Sequence, residues 1–100
     1  MNSFATSPNG KARVDREVTV LNRQGIHARP SASFVKLAST FASDVFLEKD
    51  GELINGKSIM GLLMLAAGPG SRLRIICEGT DCDRALAALA GLFDQKFGED

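Results

Sequence analysis

The chain has no tryptophan and no tyrosine, and its six aromatic residues are all phenylalanine. A platform for stacking nucleobases would therefore rest on phenylalanine alone. Net charge is also missing, because Lys+Arg 12 balances Asp+Glu 12. That argues against a nucleic-acid or anionic-membrane binder driven by bulk charge. Cysteine occurs only as Cys77 and Cys82, too few for a disulfide scaffold. With one histidine in the chain they also make a poor zinc site, so both read as reduced thiols, and no metal and no cofactor are expected. No run approaches the roughly 20 apolar residues of a membrane-spanning helix. The opening stretch, polar and carrying Pro8, Asn9 and Gly10, lacks the apolar segment of a signal peptide. These absences predict a soluble cytoplasmic protein, with a flexible N-terminal tail over residues 1–12 and one domain over residues 13–100.

One hundred residues, 44% of them apolar, suffice for a single small core. Val14 to Leu21 alternates as a strand, with Val18 and Val20 on one face. Asn22 to Ile26 turns at Gly25. Ala28 to Ser39 has helical spacing through Ala28, Ala32, Val35 and Leu37/Ala38, and Pro30 falls in the first turn, where no N–H bond is required. Asp44 to Lys49 and Glu52 to Asn55 flank Asp50-Gly51, a strong two-residue hairpin signal. Ser58 is placed to cap a short apolar helix, Ile59 to Leu65, which Gly68-Pro69-Gly70 ends. Arg72 to Glu78 is a strand with Leu73, Ile75 and Cys77 on one face. The last helix spans Cys82 to Phe97, its apolar stripe at Cys82, Ala85, Leu86, Leu89, Leu92 and Phe93, and Gly98 stops it. The order β-α-β-β-α-β-α suits an α+β fold. It predicts a two-layer, open-faced β-sandwich, with a four-stranded, mainly antiparallel sheet and three helices on one face.

The only histidine, His27, stands in Gly25-Ile26-His27-Ala28-Arg29-Pro30. Taken alone, a histidine beside a helix start is more often a surface or capping residue than a catalytic one. Its neighbours change that weighting. A helix N-terminus presents unpaired N–H groups and partial positive charge, which favour anions. Arginine adds a planar fork of donors suited to phosphate, and an imidazole nitrogen is a competent nucleophile near neutral pH. Nucleophile, cation and helix terminus together point to a residue that carries a phosphoryl group.

Gly51-Glu52-Leu53-Ile54-Asn55-Gly56-Lys57-Ser58 matches the nucleotide-binding pattern G-x-x-x-x-G-K-[ST] letter for letter. The context opposes a nucleotide site. The first glycine closes a hairpin, Leu53 and Ile54 look like strand residues, and a chain of 100 residues lacks room for a typical nucleotide-binding fold built on a parallel sheet. Ser58 has two roles open to it, simple capping and regulatory phosphorylation, the latter placing a dianion on the surface. The helix after it is apolar nearly all round, more than one core face needs, so Ile59, Met60, Leu63 and Met64 form a candidate docking patch.

The two segments resemble those of the histidine-containing phosphocarrier (HPr) family of the bacterial phosphotransferase system, over about residues 14 to 97. Gly25 to Pro30 is similar to the family's active-site signature, and Asn55 to Leu62 to its regulatory serine segment. The resemblance implies that His27 takes a phosphoryl group on its Nδ1 (pros) nitrogen from enzyme I and donates it to an enzyme IIA domain. It implies that Arg29 and Ala28 bind the phosphoryl group. Ser58 would be the target of an HPr kinase/phosphorylase, with a transcription regulator as a further partner. Ala32, Ile59, Met60 and Leu63 match positions where the family docks partners. A carrier that must expose one face to successive partners is most simply a monomer. The competing reading is a mainly regulatory HPr-like module, in nitrogen-related or carbon-catabolite signalling, acting through protein–protein binding.

Overall fold

The computed structural model describes residues 2–6 and 10–99. Met1, residues 7–9 and Asp100 lie outside the described residues. The elements are β1 (Asn2–Thr6), β2 (Ala12–Thr19), α1 (Ala28–Ala38), β3 (Asp44–Lys49), β4 (Glu52–Asn55), α2 (Ile59–Met64), β5 (Arg72–Glu78) and α3 (Cys82–Asp94), followed by a short 3₁₀ turn, Lys96–Gly98. The strands lie in the order β1-β2-β5-β3-β4, and every neighbouring pair is antiparallel.

The expected four-stranded antiparallel sheet is present, as β2-β5-β3-β4, with its three helices, and the N-terminal expectation needs correction. The sequence predicts a flexible tail over residues 1–12. Residues 2–6 instead pair with β2 in register from Asn2↔Arg16 to Thr6↔Ala12. The cause is tertiary. Without this strand β2 would be a bare sheet edge, whose free N–H and C=O groups offer pairing to any extended segment nearby.

Strand alternation sets the core. Val14 and Val18 of β2, Val45 and Leu47 of β3, and Leu73, Ile75 and Cys77 of β5 all point to the helical face and are buried. Phe34 of α1 and Phe93 of α3 meet edge-on above them, with ring centroids 6.1 Å apart. Each fully buried large side chain contributes about 1.5–3 kcal/mol of transfer free energy. The buried stripe of α1 is Pro30, Ser31, Phe34 and Ala38, rotated from the Ala28/Ala32/Val35 line read in the sequence. The large Phe34 ring fixes that rotation and leaves Ala28 and Ala32 exposed. On the opposite sheet face Asp15 is only 5% exposed. Arg13 and Arg74 both bind its carboxylate, Arg74 Nη1 at 2.6 Å, so that face is not uniformly open to solvent.

The final helix is shorter than expected, ending at Asp94 rather than Phe97. Lys96, Phe97 and Gly98 then take left-handed backbone angles, with φ of 55°, 54° and 72°. For Lys96 and Phe97 this costs about 1–2 kcal/mol each. Burial of the Phe97 ring edge-on against Phe93, centroids 4.8 Å apart, opposes that cost. The turn sends residue 99 back across the molecule.

Candidate functional site

The loop before α1 is built to hold its shape. Asn22 is fully buried. Its side-chain Nδ2 donates to the Gly25 carbonyl at 2.7 Å, and the Gly25 amide donates to the Asn22 carbonyl at 3.1 Å. Gly25 has φ +70°, and a Cβ there would lie 2.6 Å from the Ala67 carbonyl oxygen. Only glycine satisfies both constraints. The next amide, of Ile26, donates to that same Ala67 oxygen at 2.8 Å. The loop is thereby fastened to the segment after α2, and His27 follows it directly.

His27 is the N-cap residue of α1, in extended conformation, and its side chain caps nothing. Its carbonyl accepts the first helical hydrogen bond, from the Ser31 amide at 3.0 Å. The amides of Ala28 and Arg29 therefore stand in the first turn without an intrahelical acceptor, and Pro30 has no N–H to offer. The imidazole is about one-third exposed. Its Nε2 lies 3.1 Å and 3.0 Å from the two carboxylate oxygens of Glu99. A carboxylate accepts and does not donate, so the proton of the neutral ring belongs on Nε2 and the lone pair on Nδ1. Among the described residues Nδ1 has no hydrogen-bond partner.

Glu99 ties the site together. Asn22 Nδ2 donates to its Oε1 at 3.1 Å, and Arg29 Nη1 lies 3.8 Å from its Oε2. The hydrogen bond from His27 holds the Glu99 carboxyl below the usual carboxylate range. Partial burial opposes that shift, and the Asn22 hydrogen bond and Arg29 charge support it. Arg23, Gln24, His27, Arg29 and Glu99 line one cleft of about 320 Å³. His27 and Arg29 come together there, with Ala28 between them in the chain.

Sequence reading missed Glu99, Asn22 and Arg23. Glu99 is 72 residues from His27 and follows the glycine taken as the end of the last helix. No periodicity or local motif marks it.

Ser58 caps α2, its Oγ accepting from the Gly61 amide at 3.0 Å. It is half-buried, less open than its position suggested, and does not line the His27 cleft. Beside it α2 exposes Ile59, Met60, Leu63 and Met64, with Met60 and Met64 at 68% and 67%. Leu62 and Leu65 turn inward to the core. Helix α2 packs against α1, where Ala28 and Ala32 are exposed. Gly51 to Ser58 form a hairpin strand and a tight turn rather than a phosphate cradle. Cys77 and Cys82 are buried free thiols, and no helix among the described residues is long and apolar enough to cross a membrane.

Residues 14–95 match the family model described as PTS HPr component phosphorylation site. The phosphocarrier protein HPr of Treponema pallidum is 48% identical over 87 residues, covering 87% of this chain and 99% of that protein. The crystal structure of HPr-C-His from Thermoanaerobacter tengcongensis superposes with a TM-score of 0.83 at 41% identity, over 86% of this chain and 97% of that one. The Bacillus subtilis catabolite-repression protein Crh, a dimer with a swapping domain, superposes with a TM-score of 0.68 at 47% identity, over 74% of this chain and 85% of that one.

Proposed function

The chain belongs to the HPr phosphocarrier family, and from that premise we propose that it carries a phosphoryl group on Nδ1 of His27. The observation that carries this reading is the asymmetry of the ring. Nε2 is held by Glu99, and Nδ1, next to the first turn of α1, has no partner among the described residues. In the transfer step the Nδ1 lone pair forms the P–N bond. The bond from phosphorus to the donor breaks, and its electron pair stays with the donor. The ring gains positive charge, which the Glu99 carboxylate faces across Nε2. The phosphoryl oxygens meet the amides of Ala28 and Arg29 and the Arg29 guanidinium. The P–N bond stays labile, as a relay requires.

The donor is enzyme I and the acceptors are enzyme IIA domains, docking on Ala32 and the exposed apolar face of α2 at Ile59, Met60 and Leu63. Such contacts are small and exchange fast. The chain acts in the cytoplasm as a monomer, as substrate and product of larger partners and not as an enzyme. Ser58 is the site where an HPr kinase/phosphorylase adds phosphate. A dianion beside exposed Ile59 and Met60 opposes apolar docking and offers a transcription regulator a charged feature to bind.

Labelled phosphoenolpyruvate with enzyme I tests the carrier reading. The wild type gains acid-labile phosphate, and His27→Ala gains none. Acid-labile label on the alanine variant would sink the assignment of His27. Ser58→Ala keeps that labelling and loses ATP-dependent incorporation by the kinase. Equal modification of the variant by the kinase would remove Ser58 as its target.

A further inference from the structure

We infer that Arg23 is a second cation for the phosphoryl group, acting from the loop as Arg29 acts from the helix. This rests on the phosphocarrier reading above and goes beyond it, because Arg23 lies outside the Gly25–Pro30 segment. Two observations carry it. Arg23 lines the same cleft as His27, Arg29 and Glu99. It is also exposed and, among the described residues, has no ion pair or hydrogen bond. Arg29 differs, standing 3.8 Å from Glu99.

The charge of the loaded site favours a second cation. Arg23, Arg29 and Glu99 together give the cleft a formal charge of +1. A phosphoryl group brings about −1.5 to −2 at neutral pH. With Arg23 present these groups leave the loaded cleft at about −0.5 to −1, and without it at about −1.5 to −2. Without it, the phosphoryl group and Glu99 face Arg29 alone. The loop also holds Arg23 in readiness. The reciprocal Asn22–Gly25 hydrogen bonds close the turn on which Arg23 sits, and the Ile26 amide pins it to Ala67. The backbone beneath Arg23 therefore needs little further ordering when the anion arrives, and the ordering cost that remains is that of its side chain. Arg23 is thus a positioning and charge-compensating residue for phosphohistidine, assisting a ring that does the bond-making.

The test is the equilibrium among phosphoenolpyruvate, pyruvate and this protein, reached with a trace of enzyme I and pyruvate in excess. Its position depends only on the stability of the phosphorylated and free forms, so weakened docking to enzyme I cannot move it. For Arg23→Ala the phosphorylated fraction should correspond to an equilibrium constant about two- to five-fold lower at low ionic strength, the scale of an exposed charge pair. Arg23→Lys should restore most of the loss, and Arg23→Glu should exceed it. The gap should close in 1 M salt, where screening acts within about 3 Å. A purely structural role would give neither lysine rescue nor salt dependence. An unchanged equilibrium for Arg23→Ala at low salt, with wild type still labelled on His27, overturns the inference and leaves the carrier reading intact. Wild type that takes no acid-labile phosphate overturns the carrier reading itself, and Arg23 falls with it.

Discussion

At the scale of single residues, Asp81 precedes α3 without capping it. Its carboxylate reaches across to the loop before β3, accepting from the Ala42 amide at 2.8 Å, the Ser43 amide at 2.9 Å and the Ser43 hydroxyl. The Ser43 hydroxyl, then the Ala42 amide, lower its pKa from 3.8 to about 2. A folded-state pKa below the unfolded value means stability that is fully present above pH 3.8 and lost as pH falls toward 2. Asparagine keeps only one acceptor oxygen for three donors. Asp81→Asn should therefore lower the urea midpoint at pH 6, with the gap to wild type narrowing between about pH 4 and pH 2. A gap of constant size down to pH 2 would refute this account. Cys77 makes the opposite case. Burial pushes its thiol up to about 12, so alkylating reagents at pH 8 should leave it unmodified in the folded protein and label it on unfolding. His27, Arg29 and Ser58 stand out in the sequence as candidates because each sits in a contiguous motif. Asn22, Arg23 and Glu99 do not, because only the fold brings them to the His27 cleft.

At the scale of elements, legibility followed side-chain size and turn chemistry. Asp50-Gly51 specified its hairpin because φ of 52° and 83° at these positions is what a two-residue primed turn requires. The α3 stripe was legible because Leu86, Leu89 and Phe93 dominate one face. Small residues gave α1 no such signal, and the left-handed exit from α3 at Lys96 and Phe97 has no sequence mark at all. Ser58 was legible as a cap, and the cap is measurable. Helix α2 has six residues, so it depends on its capping bond and on inward Leu62 and Leu65 rather than on intrinsic helicity. Ser58→Ala should cost about 1 kcal/mol, lowering the melting temperature by about 4–8 °C for a domain of this size. Ser58→Asp should melt close to wild type, since aspartate caps equally well, while weakening docking on Ile59 and Met60. If Ser58→Asp melted as low as Ser58→Ala, the Gly61 hydrogen bond would not be what stabilises α2.

At the scale of the whole molecule, the sheet has one strand more than its sequence suggested. Asn2-Ser3-Phe4-Ala5-Thr6 carries little strand signal, and it pairs because β2 presents an edge. The match to the family model begins at residue 14, so β1 lies outside the residues that model covers. It makes β2 an interior strand, leaving β1 and β4 as the two edges. If successive partners dock on α1 and α2, as proposed, a bare edge elsewhere is a liability, since unpaired strand edges bind other chains. Deleting residues 1–11 should bare that edge and leave the core intact, because the buried core described for the domain runs from Val14 to Phe97. The expected outcome is a concentration-dependent rise in mass toward a dimer in light scattering behind size exclusion, with the full chain unchanged over the same range. Replacing Ser3 and Phe4 together by proline should act in the same direction. Adjacent strand residues point their N–H groups to opposite sides, so the pair removes a donor to β2 whichever register face it occupies. A truncated protein that stays monomeric at millimolar concentration would mean that β2 needs no cover, and that pairing of residues 2–6 leaves assembly unaffected.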